Sequence, residues 1–139
     1  MVGNLRITCS RLVEMGFKVL VLLTGHYPEE QMRAVAQVAR KVVDQHPGIT
    51  AIGLAEPQAY PNEFRGDHAA KWETSIALYL MPELVHMEYF EGKPEPLHGI
   101  YGEDPRANAS VESGRETVEG ITETVVNRVL QALQGKPQS

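Results

Sequence analysis

The side chains best suited to chemistry are two histidines and four carboxylates, namely His26, Glu29, Glu30, Asp67, His68 and Glu73. Sets of histidine and carboxylate ligands suit Zn²⁺, Mn²⁺ or Fe²⁺. A metal ion held by them would lower the pKa of a bound water molecule and polarise a carbonyl group. Simpler interpretations exist, because His68 could be a surface residue and Glu29 and Glu30 could be ordinary first-turn helix acids. Glu73 is more informative, since it opens a predicted helix.

The element that would position His26 is the apolar run Val19–Leu23. Its unbroken aliphatic side chains are typical of a strand buried on both faces, as in parallel sheets. The run is followed by Gly25, and Pro28 suits the first turn of a helix beyond it. His26 therefore lies at the carboxyl end of a strand, where open α/β sheets place ligands and catalytic groups. A histidine that merely caps the turn is the alternative.

Apolar periodicity predicts the other elements. The predicted helices span Leu5–Met15, Pro28–His46, Lys71–Leu80 and a final segment that begins between Ser110 and Glu116 and ends at Leu133. A second buried strand is predicted at Ile49–Ala55, and Val85–Phe90 is a candidate short strand. A helix that joins two such strands forms a βαβ crossover. The pattern therefore predicts an α/β fold with a mainly parallel sheet.

The connections between these elements are uneven in length. Residues Glu56–Ala70 form a predicted loop too long for a plain connection, and loops of this length are usually functional or disordered. Residues 83–109 are expected to be irregular apart from the candidate strand, and residues 134–139 form a predicted flexible tail. We find no repeat and no second domain, so residues 1–139 are predicted to form one domain.

Composition excludes several classes of protein. A net charge of -5 gives no electrostatic reason to expect nucleic acid or an anionic membrane as partner. No apolar run approaches the roughly 20 residues that a membrane-spanning helix needs. The single cysteine, Cys9, cannot form an internal disulfide, which predicts a cytoplasmic protein. Its apolar neighbours in a predicted helix indicate a buried, inert thiol.

Three motifs follow one another along nearly the whole chain. They are GFKVLVLLTGHY at Gly16–Tyr27, GDHAAKWETSIALYLMPELV at Gly66–Val85 and GEDPRANASVESG at Gly102–Gly114. In this order they resemble the creatininase family, the creatinine amidohydrolases and related metal-dependent amidases. That family has a Gly-Phe strand ending in Asn-Gly-His, a His-Ala-Gly-x-x-Glu-Thr-Ser helix ending in Pro-Glu-Leu-Val, and Gly-x-Pro before Ala-Ser/Thr-x-Glu-x-Gly. The resemblance implies a three-layer α/β/α sandwich, shortened at its N-terminus.

The resemblance also implies roles for individual residues. His26 matches a ligand of the family's dinuclear centre, which would hold zinc, manganese or iron. Glu73 matches the active-site glutamate of the Glu-Thr-Ser motif and would bind metal or position water. His68 matches the histidine that serves as catalytic acid and base. Pro28 stands where the second metal's glutamate would be, with Glu29 one place later.

The sequence departs from the family's pattern at several positions. Thr24 replaces the asparagine before Gly25, and Ala70 replaces the glycine of the His-Ala-Gly motif. The family's Glu-x-His and later Asp, which complete the two-metal site, have no counterpart before Phe17. A sheet without the leading βα units would have a bare edge. We therefore expect a homo-oligomer, or pairing with a separate N-terminal subunit.

Three functions are compatible with this pattern. The first is a metal-dependent amidohydrolase that cleaves a cyclic amide or another non-peptide C–N bond in a small-molecule substrate. The second is a truncated, inactive family member that acts as a structural or interaction subunit. The third is a small-ligand binding module that works without metal. Metal content and hydrolysis distinguish the three.

Overall fold

A computed structural model of the chain describes residues 2–26, 28–62, 66–94 and 96–135. Tyr27 of the first motif, residues 63–65 of the long loop and residues 136–139 of the predicted tail lie outside this description. The chain divides into two compact units, residues 1–59 with 123–139 and residues 60–122, and the single domain stays a prediction. None of the described helices combines the length and apolar content that crossing a bilayer requires.

The first unit contains the parallel sheet. Its elements are α1 (Val2–Glu14), β1 (Val19–Thr24), α2 (Glu29–Gln45), β2 (Thr50–Ala55) and α3 (Glu56–Ala59). β1 and β2 pair in parallel, with Val19 opposite Thr50 and Thr24 opposite Ala55. Because α2 joins two parallel strands, the predicted βαβ arrangement is present, and the α/β fold class is confirmed.

The core of this unit is formed by α1, α2 and one face of the sheet. Its buried members are Cys9, Leu20, Leu22, Val35, Val38, Val42 and Ile49. Burial raises the pKa of the Cys9 thiol, which keeps it protonated, so the predicted burial of Cys9 is confirmed. Gly53 allows α2 to pack closely on β2, since a Cβ there would lie 2.9 Å from the Val35 carbonyl oxygen.

The prediction that β1 is buried on both faces is wrong. Leu20 and Leu22 point into the core, whereas Leu23 is 45% exposed. Side chains alternate between the two faces of a strand, and the face that carries Leu23 is incompletely covered. On β2 both faces are better covered, since Leu54, opposite Leu23, is buried.

The second unit is built mainly from helices. They are α4 (Lys71–Leu80), two 3₁₀ turns (Pro82–Leu84 and Met87–Phe90), α5 (Pro105–Asn108) and the first part of α6 (Val111–Leu133), whose residues from 123 onward belong to the first unit. The candidate strand at Val85–Phe90 is wrong. The segment bonds within itself, with the N–H of Tyr89 donating to the carbonyl of His86 at 3.2 Å. α5 is a further departure, in a stretch that was expected to be irregular.

α4 and the start of α6 pack in close contact. Gly114 of α6 is buried, and a Cβ there would lie 1.9 Å from the carbonyl oxygen of Ser75. The Ser75 hydroxyl donates to the Lys71 carbonyl at 2.5 Å and accepts the Ser110 N–H at 3.1 Å. Ser110 in turn caps α6, since its Oγ accepts the N–H of Ser113 at 3.1 Å. The second motif is thereby fixed against the third.

Candidate functional site

The start of α4 is organised by a carboxylate that lies before the helix. Asp67 accepts the backbone N–H of Trp72 at 2.6 Å and that of Glu73 at 3.1 Å. These are amides of the first helical turn, which have no partner within a helix. Ala70, at the usual capping position, has no side chain that can accept them. Asp67 therefore acts as the cap and fixes the turn that carries Glu73.

The Glu73 carboxylate is anchored by the same turn. Its Oε2 accepts the N–H of Ala69 at 2.7 Å, and the Thr74 hydroxyl donates to the Ala69 carbonyl at 3.1 Å. Ala69 has a φ of 50°, a left-handed conformation that residues other than glycine disfavour. Two hydrogen bonds thus hold Ala69 in a strained conformation, in which its backbone N–H points toward the Glu73 carboxylate. Strain of this kind is often found at functional sites.

His68 stands beside Glu73 on an exposed surface. Its Nδ1 lies 3.7 Å from Oε2 of Glu73, and its side chain is 66% exposed. This separation is longer than a hydrogen bond. The His68 backbone is fixed by a two-bond antiparallel bridge to Tyr101, with N···O distances of 2.9 and 3.0 Å.

The segment that carries Tyr101 continues along the start of α4. A Cβ on Gly102 would lie 2.8 Å from Cβ of Asp67, so only glycine permits this approach. Lys71 Nζ pairs with Glu103 at 3.2 Å and lies 4.8 Å from the centroid of the Trp72 ring. The Lys71 ammonium group is thus engaged with a carboxylate and an aromatic ring.

A mainly apolar groove of about 560 Å³ adjoins Glu73. We call it the aromatic groove, and the lining residues used below are Ala69, Glu73, Leu84, His86, Tyr89 and Phe90. The second 3₁₀ turn supplies its aromatic wall. Arg106 fixes the chain that follows, donating to the carbonyl of Phe90 at 3.5 Å and to that of Lys93 at 2.9 Å. Glu73 therefore both lies beside His68 and lines the groove.

His26 and Glu29 lie in the first unit. His26 follows β1, is exposed, and its backbone N–H donates to the Thr24 hydroxyl at 3.2 Å. Glu29 pairs with Arg33 one turn later, as first-turn helix acids commonly do. Glu56, which was not singled out in the sequence, lies next to the turn before His26, with Oε1 3.1 Å from the Cβ position of Gly25. Its place directly after β2, as His26 follows β1, is the signal that could have indicated it.

Comparison with known proteins decides the family. The model of the family Creatininase, described as creatinine amidohydrolase, matches residues 3–129. The chain belongs to the creatininase family. The resemblance seen in the three motifs is thereby confirmed. No curated protein gave a significant match to the chain.

The fold of this creatininase-family chain is similar to that of a solved structure. The structure is a crystal structure of a protein from Bacteroides fragilis NCTC 9343 that is provisionally named creatinine amidohydrolase. The TM-score is 0.72 at 20% sequence identity, with 99% of this chain and 63% of that chain covered. The chain thus spans less than two thirds of the length of that protein, and the likeness supports the fold.

The dinuclear metal centre implied by the creatininase family can be compared with the side chains present. His26 and Glu29 belong to the first unit, and His68 and Glu73 to the second. Within residues 2–26, 28–62, 66–94 and 96–135, no three histidine, cysteine, aspartate or glutamate side chains are grouped so that they could hold a metal ion. The described residues therefore do not by themselves fit a metal centre. What the second unit does bring together is His68, Glu73 and the aromatic groove.

Proposed function

We propose that this chain is a creatininase-type amidohydrolase that cleaves a cyclic amide or another non-peptide C–N bond in a small molecule. The observation that carries the proposal is the placement of Glu73 at the motif shared with the family. Its carboxylate is held by the Ala69 amide, 3.7 Å from Nδ1 of His68. Glu73, which lines the aromatic groove, and His68 beside it can accept and donate protons, as general acid–base hydrolysis of an amide requires.

Hydrolysis of an amide consumes one water molecule and moves two protons. The water oxygen bonds to the carbonyl carbon and gives up a proton, and the C–N bond breaks as the nitrogen gains one. Glu73, anchored by its Oε2, is suited to accept the proton from water. His68 is suited to deliver a proton to the leaving nitrogen, because its ring is exposed yet its backbone is fixed by Tyr101.

A divalent metal ion, zinc, manganese or iron, belongs to the proposal through the family relation. His26, Glu29 and Glu73 are its proposed ligands, and a bound metal would supply Lewis acidity. The described residues do not group three such ligands, so the proton movements above are derived from His68 and Glu73 alone. Elemental analysis of protein purified without chelator tests the metal. Stoichiometric metal that is lost in His26→Ala would support these ligands, and metal that persists in His26→Ala would contradict them.

Glu73→Gln tests the proposed acid–base pair. Glutamine keeps an oxygen that can accept the Ala69 N–H, so the fold should be retained, while the base is lost. We expect kcat to fall by about 10²–10⁴-fold with little change in KM. Glu116→Gln, on the exposed surface of α6, is the matched control and should leave both constants unchanged.

The result that would overturn the proposal is full activity of Glu73→Gln, or a folded wild-type chain that hydrolyses none of a panel of creatinine, hydantoins and lactams. A folded chain that also bound no metal would favour the structural or interaction subunit instead. The panel should be run with and without added zinc and manganese, so that loss of metal during purification is not mistaken for inactivity.

Self-association, or pairing with a separate subunit, is a further part of this proposal. The exposure of Leu23 within a strand and of Phe17 just before it supports it, since large apolar side chains in such places are commonly covered by a partner. Light scattering coupled to size-exclusion chromatography should give a mass above the 15.4 kDa of the single chain. Leu23→Lys should return that mass to the monomer value. A monomer in the wild type at high concentration would contradict self-association.

A further inference from the structure

We propose that the aromatic groove binds an aromatic or branched apolar substituent of the substrate, and that the amide of the same molecule then lies at Glu73 and His68. The inference rests on the proposed amidohydrolase function and specifies its substrate class. The groove has a volume of about 560 Å³ and a mainly apolar lining, with Glu73 among its polar groups. Its volume lies within the roughly 300–1,000 Å³ of typical small-molecule sites, but the groove is open to solvent and would bury only one side of a ligand.

The wall of the groove is held in place by local contacts. Met81 ends α4, and the Leu84 N–H then donates to the Met81 carbonyl at 3.0 Å, which turns the chain back along α4. The His86 ring is held through Nδ1, 2.9 Å from the Glu88 carboxylate, and its centroid lies 5.5 Å from that of Tyr89. A paired and anchored aromatic wall loses little conformational entropy when a ligand ring packs on it.

The position of the groove relative to the acid–base pair favours a substrate over a protein partner as its occupant. Ala69 and Glu73, which form the hydrogen-bonded turn of the site, are themselves part of the lining. A substituent seated against Leu84 and Tyr89 therefore lies in the same groove as the Glu73 carboxylate. A substrate that carried no such substituent would leave these side chains, 66% and 72% exposed, in contact with water.

The test compares hydantoin with 5-benzylhydantoin as probes. Binding is followed by ¹H–¹⁵N NMR titration, and hydrolysis by chromatography of the products. We expect the benzyl compound to bind about tenfold more tightly, the effect of removing roughly 50 Å² of apolar surface from water. Leu84→Ala and Tyr89→Ala should each remove much of that preference. Leu80→Ala is the matched control, because Leu80 is 53% exposed at the end of α4 and does not line the groove.

The outcomes separate this inference from the function on which it rests. Equal binding and hydrolysis of the two probes would overturn the groove assignment and leave the amidohydrolase standing. Tighter binding of the benzyl compound, sensitive to Leu84→Ala but without hydrolysis of either probe, would keep the groove as a binding site and overturn the hydrolase. If Leu80→Ala weakened binding as much as Leu84→Ala, the assignment would be wrong, since the effect would then arise from the general stability of α4.

Discussion

Replacing Gly114 by alanine tests how closely α4 and α6 approach one another. The new Cβ would lie 1.9 Å from the Ser75 carbonyl oxygen, 2.5 Å from the Ser75 carbonyl carbon and 3.0 Å from Cβ of Tyr79. Two of these three atoms belong to the backbone of α4, so a change of side-chain rotamer cannot relieve the contact. The oxygen must retreat by about 1 Å or more to reach 3.0 Å, below which real Cβ contacts essentially never occur.

The expected loss of stability in Gly114→Ala is the difference between an overpacking cost and a gain in helix propensity. Overpacking a rigid contact costs about 3 kcal/mol, at the upper end of the usual range, because whole helices must separate. Alanine recovers about 1 kcal/mol of helix propensity relative to glycine. We therefore expect the free energy of unfolding to fall by about 2 kcal/mol, which corresponds to a melting temperature lower by about 6–10 °C for a chain of this size.

Urea denaturation followed by tryptophan fluorescence is the appropriate assay. The chain has one tryptophan, Trp72, and it lies in the first turn of α4, so its emission reports on the perturbed helix. Gly3→Ala is the control, because Gly3 lies in α1 with nothing within 4 Å of the added Cβ. It should leave stability unchanged or slightly raised. A midpoint for Gly114→Ala equal to that of Gly3→Ala would refute the close helix contact.

Three further changes test the cap of α4, the left-handed residue before α4 and the ion pair between Asp104 and Arg106. Asp67→Ala removes a cap that accepts two backbone N–H groups, and urea titration should show a loss of about 1 kcal/mol, with a smaller loss in Asp67→Asn. Ala69→Gly relaxes a left-handed residue and should leave the free energy of unfolding unchanged or raise it by about 1 kcal/mol, whereas a lower free energy of unfolding would contradict strain there. The Arg106 guanidinium holds the pKa of Asp104 below its usual range. This pair therefore stabilises the fold at pH values above the ordinary carboxyl pKa, and the stabilisation is lost as the pH falls through the lowered pKa of Asp104. NMR titration of Arg106→Lys should show the pKa of Asp104 moved upward, and an unchanged pKa would count against the pairing.

The elements that the sequence predicts well are those with a strong local pattern. α4 occupies the predicted Lys71–Leu80, and β1 exceeds the predicted Val19–Leu23 by one residue. In both cases the signal is periodicity or an unbroken apolar run within the element itself. The predicted start of α6, between Ser110 and Glu116, is also correct, because a serine cap can be read locally.

The features that the sequence does not predict depend on distant contacts. Val85–Phe90 contains side chains that suit a strand, but a strand needs a partner, and this segment bonds within itself instead. The left-handed Ala69 and the close approach at Gly114 likewise arise from packing between segments. No local sequence pattern predicts an alanine with positive φ, since that conformation is rare for residues other than glycine.

In the candidate site, too, local features can be predicted from the sequence and features that depend on distant contacts cannot. His68 and Glu73 are close because they are five residues apart at a helix start, so a motif could place them together. The aromatic groove depends on the reversal of the chain after Met81, which the periodicity of α4 does not reveal. The metal roles of His26 and Glu29 depend on side chains brought from other parts of a protein, and they stay predictions.

The bridge between His68 and Tyr101 has a consequence for the order in which the protein folds. It closes a loop of roughly 30 residues, and closing such a loop costs on the order of 3 kcal/mol of chain entropy. α4 can form from local interactions before that cost is met, whereas the bridge cannot. We therefore expect the rate-limiting transition state to contain α4 without the bridge. Tyr101→Pro, which removes the backbone N–H that Tyr101 donates to the His68 carbonyl, should then accelerate unfolding and leave the folding rate nearly unchanged. We expect the bridge that fixes the His68 backbone to form after the local turn that holds Glu73.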